Sequence, residues 1–341
     1  MKGFALFRMP YARECTMMAG AVREYPSLSS LSGQQGFVVA PFAVFDEEPV
    51  LLIQPDETGG VFPDLPLQPI GDFCSSDRRA DYHIDFCNFH SHLLNRDFQK
   101  LVLSRSVDIA SVERTTPVEL FRRACDRYPR MFISLVYTPQ SGLWLASTPE
   151  TLLSGEGDQW QTMALAGTVA WQDHVAWGDK NLQEQRYVAT YITRQLELFT
   201  SDFTENGPYT ARAGHLAHLR SDFRFTLNDR ASVGELLRVL HPTPAVCGLP
   251  KEKAFRFILD NEHHGRSYYS GFMGPFGLRG QTHLFVTLRC MQLFCDAYRL
   301  YAGGGLLTDS DEEQEWLETE TKLDTMRRIL KTQLLFKDIV T

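Results

Sequence analysis

The residues of this sequence best placed to do chemistry are carboxylates, amines and glycines at particular spacings. Glu315, Glu318 and Lys322 stand at i, i+3 and i+7, which sets them on one face of a helix. A short way upstream, Tyr301-Ala302-Gly303-Gly304-Gly305 supplies three glycines that let a backbone come very close to a bound group. Carboxylates on a helix behind a glycine-lined strand end suit a hard cation such as Mg2+, which takes oxygen ligands and keeps waters for a substrate. A solvated acidic helix start, favoured by the macrodipole, accounts for the same spacing, and on spacing alone it is the plainer account.

Lys100 stands just ahead of the apolar run Leu101-Val102-Leu103, where burial would lower its pKa because the charged amine loses hydration. Bringing a lysine from about 10.4 to about 7 costs roughly 4.6 kcal/mol, tolerable in an active site and out of place elsewhere. A lysine snorkelling at a strand edge is the default alternative. Ser147-Thr148-Pro149-Glu150 displays a carboxylate straight after a strand and a proline, a loop position suited to a cleft. Leu165-Ala166-Gly167-Thr168 reads as a small turn whose backbone N–H groups could receive a carboxylate or hydroxyl. Glu184 falls in the polar first turn of another helix. Taken singly, surface glutamates and an ordinary glycine turn are the simpler readings.

Strands and helices must hold these groups. Short apolar runs at 37–45 and 50–54, then a Pro/Gly/Asp-rich stretch at 56–72, predict sheet with surface loops. Apolar residues at helical spacing (Ile84, Phe86, Cys87, Phe89, Leu93, Leu94) predict a helix over 82–94. A strand over 101–109, a helix over 117–128, strands over 131–137 and 142–147, and a helix over 182–198 follow. Strands over 282–294 and 298–301 precede a long amphipathic helix over 311–335, with Trp316, Leu323, Met326 and Leu330 as its apolar stripe. The whole predicts an α+β protein with a large, mainly antiparallel sheet flanked by helices. Residues 1–95 form an N-terminal sheet part of the same fold and 96–335 the catalytic region, within a single structural domain.

With 341 residues, 43% of them hydrophobic and 22% charged, the chain has the balance of an ordinary globular protein. No segment reaches the roughly 18 consecutive apolar residues of a membrane helix. Residues 1–8 hold too short an apolar run for a signal-peptide core and read as an edge strand. A formal net charge of -8 without Lys/Arg runs argues against nucleic acid as a partner, so attraction for an anionic substrate must come from a local positive pocket. Seven cysteines (Cys15, Cys74, Cys87, Cys125, Cys247, Cys290, Cys295) are scattered and never spaced C-x-x-C, as free thiols of a reducing cytoplasm would be.

Several blocks, in order, resemble the chorismate-utilising enzymes. They are Lys100-Leu101-Val102-Leu103-Ser104-Arg105, Ser147-Thr148-Pro149-Glu150, Leu165-Ala166-Gly167-Thr168 and Lys180-Asn181 through Glu184. His241-Pro242-Thr243-Pro244-Ala245, Tyr301-Ala302-Gly303-Gly304-Gly305 and Glu315-Trp316-Leu317-Glu318-Thr319 complete the set. The resemblance implies the sheet sandwich of anthranilate synthase component I. It implies Glu184, Glu315 and Glu318 as carboxylates around Mg2+, and Arg289 as the arginine for the enolpyruvyl carboxylate of chorismate. It further implies substrate contacts from Gly167, Thr168, His218, Tyr269, Gly303 and Lys322.

In this family, ammonia-adding branches carry Gln at the position of Lys100, and aminodeoxychorismate synthases carry Lys at that of Ala166. The pairing of Lys100 with Ala166 resembles the branch that uses water, with Lys100 as general base and Glu150 as general acid. Within that branch the intact 241–245 segment resembles the isochorismate synthases, isomerases at the entry to menaquinone or siderophore synthesis, more than the salicylate synthases. The alternatives are a salicylate or anthranilate synthase-type lyase, or a catalytically dead binding subunit. A cytoplasmic monomer or weak homodimer without nucleic-acid or membrane partners is the expected form. Val169 stands where the family often has Arg, and Gln185 where it often has His.

Two other signals carry less. His83, Cys87 and His90 share a helical face near His92, but no second ligand cluster in the sequence completes a closed tetrahedral zinc shell. His263-His264 reads as a polar loop pair. The glycine triplet lacks the G-x-G-x-x-G spacing of a dinucleotide site.

Overall fold

A computed structural model of the chain describes residues 2–58, 67–73, 78–111, 115–227, 229 and 232–331. The elements begin with β1 (Lys2–Arg8), β2 (Thr16–Tyr25), β3 (Gly36–Ala40), β4 (Val50–Thr58), α1 (Arg79–Leu94) and β5 (Lys100–Ala110). They continue with α2 (Pro117–Arg127), β6 (Phe132–Thr138), β7 (Gly142–Thr148), β8 (Thr151–Glu156), β9 (Gln159–Ala170) and α3 (Asp179–Leu196). Then come β10 (Phe203–Ala213), β11 (Leu216–Thr226), α4 (Val233–Leu240), β12 (Gly248–Leu249) and α5 (Lys251–Asn261). Last are β13 (Phe272–Phe276), β14 (Gln281–Val286), β15 (Cys290–Leu293), β16 (Ala297–Leu306) and α6 (Glu312–Leu330).

The strands join in one sheet of order β10-β11-β9-β8-β14-β13-β3-β4-β2-β1-β6-β7-β15-β16-β5-β12. The period of two along each strand sends alternate side chains to two different interiors. Phe37 and Val39 of β3, Leu51 and Ile53 of β4, and Phe132 and Val136 of β6 enter one shared core. Their neighbours Val38, Ala40, Val50 and Leu52 join residues of α3 and α4 in a second core. Ile133 and Leu135 of β6 turn instead to α2 and α6 in a third. Two halves of the sheet thus face each other across the first core, with helices on both outer faces. Phe132 and Phe285, ring centroids 4.1 Å apart, stack between the halves.

This is the expected sandwich, with local corrections. Of the edge strand expected over 1–8, the described residues Lys2–Arg8 do not form an edge: β1 is paired on both sides, by β2 and β6. The strand expected over 282–294 is two, broken at Thr287-Leu288-Arg289, with Arg289 at φ 46. The stripe α1 buries is Tyr82, Asp85, Phe86, Phe89 and Leu93, whereas Ile84 and Leu94 are exposed because they fall on the opposite arc. In α6 it is Ile329, not Leu330, that is fully buried. Of the stretch 56–72, residues up to Thr58 extend β4; residues 59–66, Cys74 and the end of the expected last helix lie outside the described residues. Among the described residues, no helix is long and apolar enough to cross a membrane.

Candidate active site

A cavity of about 610 Å3, its open mouth included, lies between β5 and β16 on one side and β9 and β11 on the other. The residues expected to act in catalysis, substrate contact or metal binding all line it except Lys100 and Glu315.

The floor is β16. Its glycines pair with β5, Gly303 opposite Ser104, Gly304 opposite Leu103 and Gly305 opposite Val102. A Cβ on Gly303 would lie 2.8 Å from Tyr269 Oη; one on Gly304 would lie 3.2 Å from Glu315 Oε2 and 3.8 Å from Glu318 Oε1. On Gly305 it would overlap Glu184 Oε1, at 2.0 Å. Three carboxylates from α3 and α6 therefore converge on bare backbone. Here glycine is needed for close approach, since none of the three takes a positive φ.

Each carboxylate has a lysine. Lys100, fully buried at the start of β5, sets Nζ 3.0 Å from Glu184 Oε1. Lys180, one turn before Glu184 on α3, pairs with Glu315, and Lys322 lies 2.6 Å from Glu318 while donating to Gly303 O at 2.7 Å. The predicted burial of Lys100 is there, but its Glu184 partner was not foreseen. Lys180 stood in the sequence only as the start of a family-like block, with no role of its own; its i, i+4 spacing to Glu184 was the available signal. Burial works against ionisation of Glu184, yet Lys100 and Lys180 hold it below the usual carboxylate range. Burial and the neighbouring Glu318 push Glu315 up to about 7.

The solvated-helix-start account fits Glu313, whose side chain is 64% exposed, but not Glu315, at 2%. Glu315 Oε2 is buried with no hydrogen-bond partner among the described residues. An oxygen-rich, glycine-floored cluster with one unpartnered buried oxygen fits a hard divalent cation.

On the opposite wall, Gly167-Thr168 is a bulge inside β9 and not a turn. The register slips so that these two residues face the single His218 of β11. Gly167 takes φ 69, a conformation that favours glycine. His218 Nδ1 donates to Gly167 O at 3.0 Å, and its Nε2 accepts from Arg289 Nη2 at 3.3 Å. Only the neutral ring satisfies both bonds; burial and the Arg289 charge push its pKa to about 3. Arg289 owes its direction to the break between β14 and β15, a left-handed residue costing on the order of 1–3 kcal/mol that the surroundings must hold.

Glu150, between β7 and β8, is 3% exposed. Burial raises its pKa to about 8 against the opposing charges of Lys100, Arg289 and Lys322, so it is a neutral acid at pH 7. Ala166, Ala245, Val246 and Leu288 complete the wall as apolar filler. Gln185 points away, its Nε2 donating to Ala164 O and Ser221 Oγ. His264 is not a polar loop residue: its ring is buried and its Nε2 lies 3.0 Å from Ser104 Oγ.

A family profile described as chorismate binding enzyme matches residues 77–331, three quarters of the chain and every residue of this site. The chain belongs to the chorismate-binding enzymes. Members of that family are generally metal-dependent, in keeping with the carboxylate cluster. This chorismate-binding enzyme is 28% identical over 241 residues to isochorismate synthase EntC of Escherichia coli K12, covering 67% of this chain and 62% of the relative. It is 32% identical over 250 residues to isochorismate synthase DhbC of Bacillus subtilis 168, covering 68% and 63%. The matched stretches thus span a little under two thirds of these relatives. Its fold matches a crystal structure of a putative 2,3-dihydroxybenzoate-specific isochorismate synthase, DhbC, from Bacillus anthracis, with TM-score 0.81. That match covers 96% of this chain and 95% of the other at 24% identity.

Proposed function

We propose that this enzyme is an isochorismate synthase, an isomerase that converts chorismate to isochorismate. The observation that carries the reading is the pairing, around one cavity, of a fully buried amine, Lys100, with a carboxyl, Glu150, that burial keeps protonated. The names of the relatives above, all isochorismate synthases, support it.

In this reading Lys100 accepts a proton from a water whose oxygen attacks C2 of the ring. The ring double bond shifts, and the C4 hydroxyl leaves with the proton of Glu150, so one water enters and one departs. Each residue ends in the protonation state the reverse reaction needs. Arg289, aimed inward and braced by neutral His218, receives the enolpyruvyl carboxylate. Tyr269, Gly303, Gly167, Thr168 and Lys322 shape the ring's surroundings. Glu184, Glu315 and Glu318 would hold Mg2+, which when bound supplies positive charge for the ring carboxylate. Ala166 leaves no amine there to compete with water.

The six described cysteines are all free, which supports a reducing cytoplasm as the compartment. The product would enter menaquinone or siderophore synthesis.

Incubating the pure protein with chorismate and Mg2+ should yield isochorismate, read by chromatography with mass detection. Salicylate with pyruvate as main products would reassign the enzyme to the lyases, and no conversion would leave it a binding subunit.

A further inference from the structure

Where α1 meets the start of α6, outside the cavity, three side chains of metal-ligating type converge. His83 and Cys87 lie one helical turn apart on α1, with Cys87 Sγ 3.8 Å from His83 Nε2 and 3.9 Å from Nδ1. Glu312, the first residue of α6, brings Oε2 to 2.8 Å from His83 Nδ1. One ligand atom from each of the three lies within 4.8 Å of the other two. In a tetrahedral zinc site, bond lengths of about 2.0–2.3 Å set ligand atoms roughly 3.5 Å apart, so the cluster is already near binding dimensions.

The sequence placed no second cluster beside His83 and Cys87; the fold supplies Glu312 from 229 positions further along. Arg79 engages the other Glu312 oxygen, Oε1, at 3.3 Å and Glu313 at 2.7 Å, which leaves Oε2 directed at His83. His90 takes no part, since its Nε2 lies 3.1 Å from Thr308 O, and His92 is paired with Asp97. The His83 side chain is 60% exposed, so an ion can reach it from solvent.

We propose that His83, Cys87 and Glu312 form a second metal site, open at one position, for a borderline divalent ion of the Zn2+ class. Thiolate and imidazole suit Zn2+ or Co2+ and not Mg2+, so this site and the carboxylate cluster sort ions by ligand chemistry. The fourth position is left to water or an outside ligand. A bound ion ties α1 to the first turn of α6, just ahead of Glu315.

The test uses the full-length, thiol-reduced protein titrated with Co2+ in the presence of excess Mg2+. One equivalent of Co2+ should produce a thiolate-to-metal charge-transfer band in the near ultraviolet. Cys87→Ser should abolish the band, His83→Ala should weaken Co2+ binding roughly tenfold or more, and Glu318→Gln should leave the band intact. Cys87 is exposed, so its replacement should leave the thermal melt of the metal-free protein unchanged. Absence of the band at stoichiometric Co2+ overturns the proposal. So does a band that survives Cys87→Ser, which would put the ion on another exposed thiol such as Cys15 or Cys295. The readout is spectroscopic and independent of chorismate turnover.

Discussion

In the proposed reaction Lys100 and Glu150 carry opposite tasks, and each can be tested alone. Lys100→Met keeps most of the buried volume but removes the base; kcat should fall by about 10²- to 10⁴-fold, the usual worth of a positioned base. Steady-state rates of isochorismate formation measure it, and a near-normal rate would sink the assignment of Lys100. As the proposed acid, Glu150 must act in its protonated form. Because burial lifts its pKa to about 8, kcat/KM should hold at neutral pH and decline as pH rises through about 8. A pH–rate profile flat to pH 9.5 would remove Glu150 as the acid. The sequence put both residues in plausible places, but neither the protonation of Glu150 nor the Glu184 partner of Lys100 could be seen there. Both depend on groups brought in from other elements.

At the scale of elements, the strand of glycines and the helix behind it work as one unit. Gly305→Ala would drive a methyl group into Glu184 Oε1, where only 2.0 Å is available. The carboxylate must swing away, so apparent Mg2+ affinity should drop by roughly tenfold or more, read as a raised half-saturating Mg2+ concentration. An unchanged Mg2+ dependence would mean that Glu184 is not a ligand. The helix itself is docked through Trp316, which lies between the guanidinium groups of Arg79 and Arg105, 4.6 and 3.7 Å from its ring centroid. Periodicity revealed this helix and its carboxylate face. That Glu315 points inward while Glu312 and Glu313 remain more open follows from docking against β16, which no local pattern encodes.

At the scale of the whole molecule, the two halves of the sheet meet through aromatic packing, with Phe132 on Phe285 at its centre. Phe132→Ala should cost about 3–5 kcal/mol of unfolding free energy, because the rigid surroundings cannot fill the hole. Chemical denaturation measures this, and a loss under about 1 kcal/mol would show that the sheet halves re-close. Metal binding at the cavity should offset part of the loss by mass action, since the carboxylates come from elements on both halves.

Local pattern was enough for about half of the strands and most helices, the antiparallel class and the ordered blocks that resemble the family; β2, β8 to β13, α4 and α5 were not read from it. Alternation, helical spacing and turn residues act over a few positions and leave their trace in the chain. Tertiary structure decided the rest. It placed β1 inside the sheet, split one expected strand so that Arg289 turns inward, and made a bulge of the Gly167 turn to catch His218. It also gave the cavity carboxylates Glu184 and Glu315 their lysines and joined Glu312 to His83 and Cys87. Burial and charge pairing set these features, and both are sums over neighbours distant in sequence, so no local window contains them.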